Sequence, residues 1–508
     1  MGETNSNHNI LVVSDLHLSE GYDASTGRFS RLEDFFLDDA FARFLQYHEE
    51  IRTQPPFSGR PWMLVINGDA LDLLQVISLP AEGRLLRCVA GVERYDELPP
   101  SDHTYGLAPT RRASEWRIRL MARGHQQFLA ALGRFIAHGN EVAFIKGNHD
   151  VDLHWPTVCD RLTREIGRAY TRARLRTGVG EPLPPQALRE RVHYYPWFYY
   201  EPGRVYIEHG GQYEASTHFR DFLDPVQRDD PQQLDLPWGS LFVTYLFNQI
   251  EDVHPFADNI KPVTRYLWWA IRTDLVSTAE LLATRGWVFL RAFWNVGQRT
   301  AESALEDARR SDRSEPQHDP LPLPTDVTDE ITALGNHWAK TTGRSLLWSV
   351  LRGALSLVTA ALAFLFCVLM IWHLLSGPLW LAGLYLLALG ATVTVRHQLG
   401  QRFERLEGAD YLTRAASELE RILAPAHTVH CIVLGHSHGA TLQRLKRAWY
   451  VNVGAWVPFV KREGPIEGEE QLTFLRLAWN ERSTPELLRW DDNAGIPRRL
   501  VLRADGRK

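Results

Sequence analysis

The chain has 508 residues, 44% of them apolar and 23% charged, and a formal net charge of −5. Such a length allows two or three domains, or one domain carrying a large insertion, and the composition is ordinary for a globular protein. The charge gives no reason to expect nucleic acid as a partner. Four scattered cysteines (Cys88, Cys159, Cys367, Cys431) sit at neither zinc-finger nor redox spacing and fit a reducing compartment. The opening MGETNSNHN lacks the charged-then-apolar build of a signal peptide, although Gly2 and Ser6 fit the short myristoylation pattern.

Five short apolar, β-rich runs succeed one another, each ending in a polar cluster: ILVV before Ser14, WMLVI before Asn67, VAFI before Lys146, VYI before Glu208 and HCIVL before Gly435. Runs of this length bounded by Gly, Asn or Asp read as buried strands. Between the first two, Ser30 and Glu33 make a capping box for an amphipathic helix with Phe35, Phe36, Phe41, Phe44 and Leu45 on its apolar side. A second helix is expected from about Ala113 to His138; the arginines Arg111, Arg112, Arg117, Arg119 and Arg123 could bind phosphate, although a charge run on a helix is usually a solvated face. Strand and helix alternate, so residues 1–213 read as the first part of a layered α/β domain.

Beyond Tyr213 the character changes. Residues 214–404 read as a helical insertion, with Trp268, Trp269, Trp287 and Trp294 interleaved with Arg265, Arg272, Arg285 and Arg291. Arg309–Asp329, rich in Pro, Ser and charge, reads as a linker. Gly353–Val395 then contains no Asp, Glu, Lys or Arg; Ser376-Gly377-Pro378 divides it into apolar stretches of 23 and 17 residues. A bilayer core takes about 17–25 apolar residues per helix, so a two-helix transmembrane hairpin is expected. Lys340, Arg344 and Arg352 precede it and Arg396, Arg402 and Arg405 come after it, which places both ends, and the α/β domain on either side, in the cytoplasm. From 405 to 508 the α/β character returns, with strand-like runs around Ala448–Val453 and Leu472–Leu477.

The chemistry lies in the residues just past the end of each strand: Asp15-Leu16-His17, then Gly68-Asp69-Ala70-Leu71-Asp72, then Gly147-Asn148-His149-Asp150, then His209-Gly210-Gly211, and finally Gly435-His436-Ser437-His438. Loops at strand C-termini of α/β sheets converge on one crevice. A lone Asp-x-His is common, and Asp72 or Asp150 alone would be a loop cap; five such pieces in order, each at a strand end, are a site. Mixed carboxylate, amide and imidazole donors without thiolates suit two divalent ions, Mn²⁺ first, with Fe or Zn²⁺ as alternatives. Such a pair acidifies a water and clamps a phosphoryl group for in-line displacement.

DLH, GDALD, GNHD, His209 and GHSH together resemble the signature of the calcineurin-like metallophosphoesterases. The resemblance covers about 1–213 and 405–508 and implies two mixed β-sheets flanked by helices. It implies that Asp15, His17, Asp69 and His438 hold one metal, and Asp69, Asn148, His209 and His436 the other, with Asp69 bridging. It also implies that His149 acts near the leaving group, oriented by Asp72.

The protein serine/threonine phosphatases of this family carry Arg-Gly after the second Asp, where Leu73-Leu74 stand here. GHSHG together with the later Tyr450–Trp456 is similar to the UDP-2,3-diacylglucosamine pyrophosphatase branch, which commonly has Arg at the position of His149. GNHD with GHSH also resembles class III cyclic-nucleotide phosphodiesterases. The expected activity is therefore hydrolysis of a phosphodiester or diphosphate bond, in a lipid-linked or nucleotide-linked substrate, by a membrane-anchored enzyme. The alternative is a soluble nucleotide as substrate, the hairpin serving only for localisation.

Overall fold

The apolar runs become the central strands of two sheets. The computed structural model describes residues 8–250, 321–341, 365–372, 390, 394, 411–424, 426–457, 460–461, 464–465, 472–480 and 484–500. The first sheet contains β1 (Asn9–Val13), β2 (Trp62–Asn67), β3 (Glu141–Ile145) and β4 (Val192–Tyr195), all parallel. The second contains β5 (Phe198–Glu201), β6 (Val205–Glu208), β7 (Cys431–Leu434), β8 (Thr441–Arg444) and β9 (Trp449–Asn452), in the order β8-β9-β7-β6-β5. The chain ends by returning to the first sheet: β10 (Thr473–Leu477) pairs antiparallel with β1, and β11 (Glu486–Asp491) and β12 (Ile496–Arg499) extend that edge.

The two sheets pack face to face through Ile10, Val12, Val65 and Ile145 on one side and Val205, Ile207, Val433 and Val451 on the other. The outer face of the first sheet carries Leu11, Leu64, Ile66 and Phe144 beneath three amphipathic helices: α1 (Asp38–Ile51), α3 (Gln126–Ala137) and α4 (Pro156–Thr177). In α1 the buried residues Phe41, Phe44, Leu45 and His48 recur at helical spacing and so form one stripe. The outer face of the second sheet is covered by α5 (Tyr411–Leu423), through Leu412, Ala415, Ala416 and Leu419. Burial on both faces explains why β1, β2 and β7 read as unbroken apolar runs rather than alternating ones.

Several expectations are corrected here. The first helix begins at Asp38, and Ser30 and Glu33 form no capping box: Glu33 is buried and accepts from Ser19 N, Ser19 Oγ and Gly21 N instead. The expected Ala113–His138 helix is two, α2 (Arg111–Gly124) and α3, broken at His125, whose φ of −110° and ψ of 48° are not helical. Within α2, Arg117 is buried and donates to Val76 O and Leu107 O, so it is not part of a solvated face. The expected linker gives way at residue 325 to a helix over 325–341, because Leu323, Ile331, Leu334 and Trp338 have an apolar surface to cover on the second sheet. Strands β4, β5, β8, β11 and β12 had no sequence signal strong enough to single them out.

Residues 214–250 fasten onto the first half of the domain. Phe219 and Leu234 are buried in its main core, Asn248 Nδ2 donates to Leu74 O and Arg31 donates to Asn248 O. The Trp/Arg-rich segment 264–296 lies outside the described residues, as does the expected hairpin 353–395 except for 365–372, 390 and 394. Among the described residues no helix is long and apolar enough to cross a membrane. Residues 365–372 are helical and leave Leu365, Val368, Ile371 and Trp372 exposed.

The break at His125 is a stability element. Its Nδ1 lies 2.9 Å from Asp38 Oδ2 and its Nε2 3.2 Å from Glu33 Oε2, with the imidazole fully buried. Burial disfavours the cation, but Glu33 and Asp38 outweigh it and raise the imidazole to about 10. An unfolded histidine titrates near 6.5. The stabilisation is therefore complete below about pH 6.5, declines as pH rises, and is gone above about pH 10. His125→Leu would leave the buried Glu33 and the partly buried Asp38 carboxylates facing an apolar side chain and is expected to cost about 3–5 kcal/mol at pH 6. Urea unfolding of both proteins at pH 6 and pH 10 checks this; a gap that does not shrink at the higher pH would reject the ion-pair account.

Candidate metal centre

The C-terminal ends of β1, β2 and β3 in one sheet meet those of β6 and β7 in the other at the same end of the sandwich. All nine residues singled out from the sequence gather there, and none is more than 6% exposed. The backbone marks the place. Among the described residues seven non-glycine positions have positive φ, and five are Asp15 (54°), His17 (52°), Asp69 (49°), His436 (68°) and His438 (58°). This left-handed conformation is uncommon for residues with a side chain, and clusters of it accompany sites whose surroundings hold the strain in place. Gly68 and Gly435 pack too closely for a side chain: a Cβ on Gly68 would enter the His209 ring, and one on Gly435 would strike Ser14 Oγ and Asp15.

Asp15, His17 and His438 bring ligand atoms within 4.8 Å of one another, and so do Asp69, His209 and His436. His438 Nε2 lies 3.1 Å from Asp15 Oδ1; His17 Nε2 lies 4.0 Å from that oxygen and 3.9 Å from Asp69 Oδ2. On the other side of Asp69, His209 Nε2 lies 3.0 Å from Oδ2 and 3.1 Å from Asn148 Oδ1. Asp69 Oδ2 thus faces both groups, while its Oδ1 accepts the His149 N–H at 2.8 Å. A third set, His17, Asp72 and His149, is also close enough for a metal. There both imidazoles place Nδ1 on one oxygen, Asp72 Oδ2, at 3.1 and 2.6 Å. That set is satisfied internally and serves to orient the two rings.

Hydrogen bonding decides which nitrogens are free for a cation. His209 Nδ1 donates to Asn67 O at 3.0 Å, and His17 Nδ1 donates to Asp72. In the neutral rings Nε2 then carries a lone pair aimed at carboxylate oxygens. Lone pair against lone pair is tolerable only with a proton or a cation between them. Asp15 Oδ1, His17 Nε2 and Asp69 Oδ2 are buried without hydrogen bonds, which is the signature of that missing positive charge. The oxygen and nitrogen donors suit a hard or borderline divalent ion.

Electrostatics point the same way. Burial pushes Asp15 up, but His438 and His209 outweigh it and hold the carboxyl well below the usual range. Asp69 is likewise raised by burial and held far down by His209, His149 and His17; Asp72 is raised by burial and lowered by His149 and His17. His209, lowered by burial and raised more by Asp69 and Asp15, reaches about 9. The cluster thus holds its carboxylates ionised and draws a proton to the place where a metal would sit, and metal binding would release it.

Around these groups the loops are locked. Asp150, raised to about 7 by burial and by Asp69, accepts from Gly147 N at 2.6 Å and Ala70 N at 2.8 Å, tying the second loop to the third. Asn452 Nδ2 donates to Gly435 O and Ser437 Oγ, bracing the last loop. One participant had no sequence signal. Glu214, 222 residues before His436, places Oε2 2.9 Å from His436 Nε2.

A two-layer β-sandwich between helices, with imidazoles and carboxylates converging where its strands end, defines a metal-dependent hydrolase. Comparison with known families makes this particular: residues 8–249 match the calcineurin-like phosphoesterase family, and the chain carries a calcineurin-like metallophosphoesterase domain. It is accordingly a metal-dependent phosphoester hydrolase with a phosphate ester as its substrate. The match runs past residue 213 to 249, the region found fastened to the domain by Phe219, Leu234 and Asn248. No curated protein and no solved structure matches the chain.

Proposed function

We propose that the protein is a membrane-anchored, binuclear phosphoesterase that cleaves a phosphodiester or diphosphate bond in a lipid-linked or nucleotide-linked substrate. Two divalent ions, Mn²⁺ by preference, would supply an activated water and a clamp on the phosphoryl group. Asp15, His17, Asp69 and His438 would hold one, and Asp69, Asn148, His209 and His436 the other. Asp72 holds Nδ1 of His149 at 2.6 Å, and the other ring nitrogen, Nε2, would give a proton to the leaving oxygen. His149 is the most exposed of the nine residues, as a group that meets substrate should be.

The observation that carries the membrane reading is the uncharged run Gly353–Val395, within which residues 365–372 are helical and leave Leu365, Val368, Ile371 and Trp372 exposed. The chain that follows this run re-enters the domain beside the site: Tyr411 donates to Glu214, and Glu214 reaches His436. An anchor rooted there would keep the crevice near the bilayer, where an amphiphilic substrate is concentrated. The second reading, a soluble nucleotide, draws on His149 standing where the UDP-2,3-diacylglucosamine branch commonly has Arg.

The full chain is expected to sediment with membranes and to resist carbonate extraction. In mixed micelles its kcat/KM for a nucleoside-diphosphate lipid should exceed that for the acyl-free analogue. Recovery in the soluble fraction would remove the anchor, and preference for the acyl-free compound or a cyclic nucleotide would establish the soluble-substrate reading.

A further inference from the structure

Two residues from distant parts of the chain, Glu214 and Tyr411, meet beside one histidine. Glu214, five residues past His209, sets Oε2 2.9 Å from His436 Nε2, and the Tyr411 hydroxyl donates to the same oxygen at 3.1 Å. Thr217 Oγ1 lies 3.3 Å from that nitrogen and spends its own hydrogen on Gly211 O at 2.8 Å. Glu214 and Thr217 therefore both act as acceptors toward Nε2. Nε2 carries the hydrogen, and the lone pair of a neutral His436 is on Nδ1. His436 stands within ligand distance of Asp69 and His209, in a group that does not include Glu214. With Nε2 engaged by the glutamate, Nδ1 is the nitrogen left to offer a metal.

The surroundings of Glu214 are braced as well. Ser216 Oγ donates to Glu214 Oε1 at 2.6 Å, and His218, with Nδ1 2.9 Å from Gln212 O, meets Asn336 of the 325–341 helix at 3.1 Å. A carboxylate on the outer nitrogen of a ligating histidine fixes the tautomer and the ring's orientation, and losing one typically costs about 10–100-fold in metal affinity.

We propose that Glu214 is a positioning residue for His436, itself held by Tyr411, so that this pair sets the affinity of the metal position formed by Asp69, Asn148, His209 and His436. The proposal rests on the binuclear reading of the site. Its consequence is that whatever displaces Glu214 or Tyr411 loosens one ion and leaves the other.

The test is Mn²⁺ titration of the chelator-stripped full chain by calorimetry, with electron paramagnetic resonance to distinguish an isolated Mn²⁺ from a coupled pair. Glu214→Ala is expected to weaken one of two binding steps by about 10–100-fold and to leave the other within about twofold. Glu214→Gln, whose amide oxygen still accepts from Nε2, should recover most of the loss. Tyr411→Phe should weaken the same step by about a few-fold, since it removes one hydrogen bond at one remove from the ligand. At two equivalents Glu214→Ala should show the isolated signal where the wild type shows the coupled one. Unchanged affinities in Glu214→Ala, or equal weakening of both steps, would overturn the proposal. So would loss in Glu214→Gln as complete as in Glu214→Ala, which would make the carboxylate a direct ligand. A wild type that binds fewer than two Mn²⁺ would overturn the binuclear reading itself, whatever the variants do.

Discussion

Asp69→Asn is expected to lose both ions together and to lower hydrolysis by at least about 10³-fold, the scale of losing a central charge-stabilising group. Asp69 Oδ2 lies 3.0 Å from His209 Nε2 and 3.9 Å from His17 Nε2, one from each metal group. An asparagine can still accept the His149 N–H that Asp69 Oδ1 now accepts. Its other end, however, becomes neutral and can turn an N–H₂ toward both imidazole lone pairs. The amide would then satisfy in the metal-free protein what the ions satisfy in the native one, so the fold should persist while metal affinity falls. Metal analysis of the purified variant, with circular dichroism as the control on folding, decides the matter. Two ions per chain with full turnover would refute the bridging role.

His149→Ala should behave differently: activity falls by about 10²–10⁴-fold while both ions stay. Asn148, its neighbour, supplies the amide facing His209, whereas the His149 imidazole is turned onto Asp72. Asp72 is the informative comparison because its Oδ2 holds His17 at 3.1 Å as well as His149 at 2.6 Å. Asp72→Asn should therefore lower turnover and also weaken metal binding at the Asp15, His17 and His438 position by about 10–100-fold. Parallel measurement of metal content and kcat separates the two. If His149→Ala loses an ion, the residue is a ligand and not a proton donor.

Much of this site was legible because its chemistry is local. Each of the five strand exits carries its ligands within a few residues of a glycine and an apolar run, and a parallel sheet delivers such exits to one end. DLH, GDALD, GNHD, His209 and GHSH could be read for that reason. The expectation for Ser30 and Glu33 failed for the opposite reason. A capping box is a local pattern, but Glu33 found backbone N–H groups at Ser19 and Gly21 and an imidazole at His125, which only the folded chain brings near. His125 itself interrupts what sequence periodicity presents as one helix, because its ring is buried between two carboxylates from elsewhere in the chain.

By itself, then, the sequence determined the reaction class, the donor types and the strands that carry them, since these depend on residues close together along the chain. The tertiary structure decided the partnerships. Asp72 serves two imidazoles 55 and 77 residues away, residues 325–341 join the second sheet rather than a linker, and Tyr411 reaches Glu214, which reaches His436. Contacts across such separations leave no periodic trace, because their geometry is set by how the two sheets pack and not by any spacing within a segment.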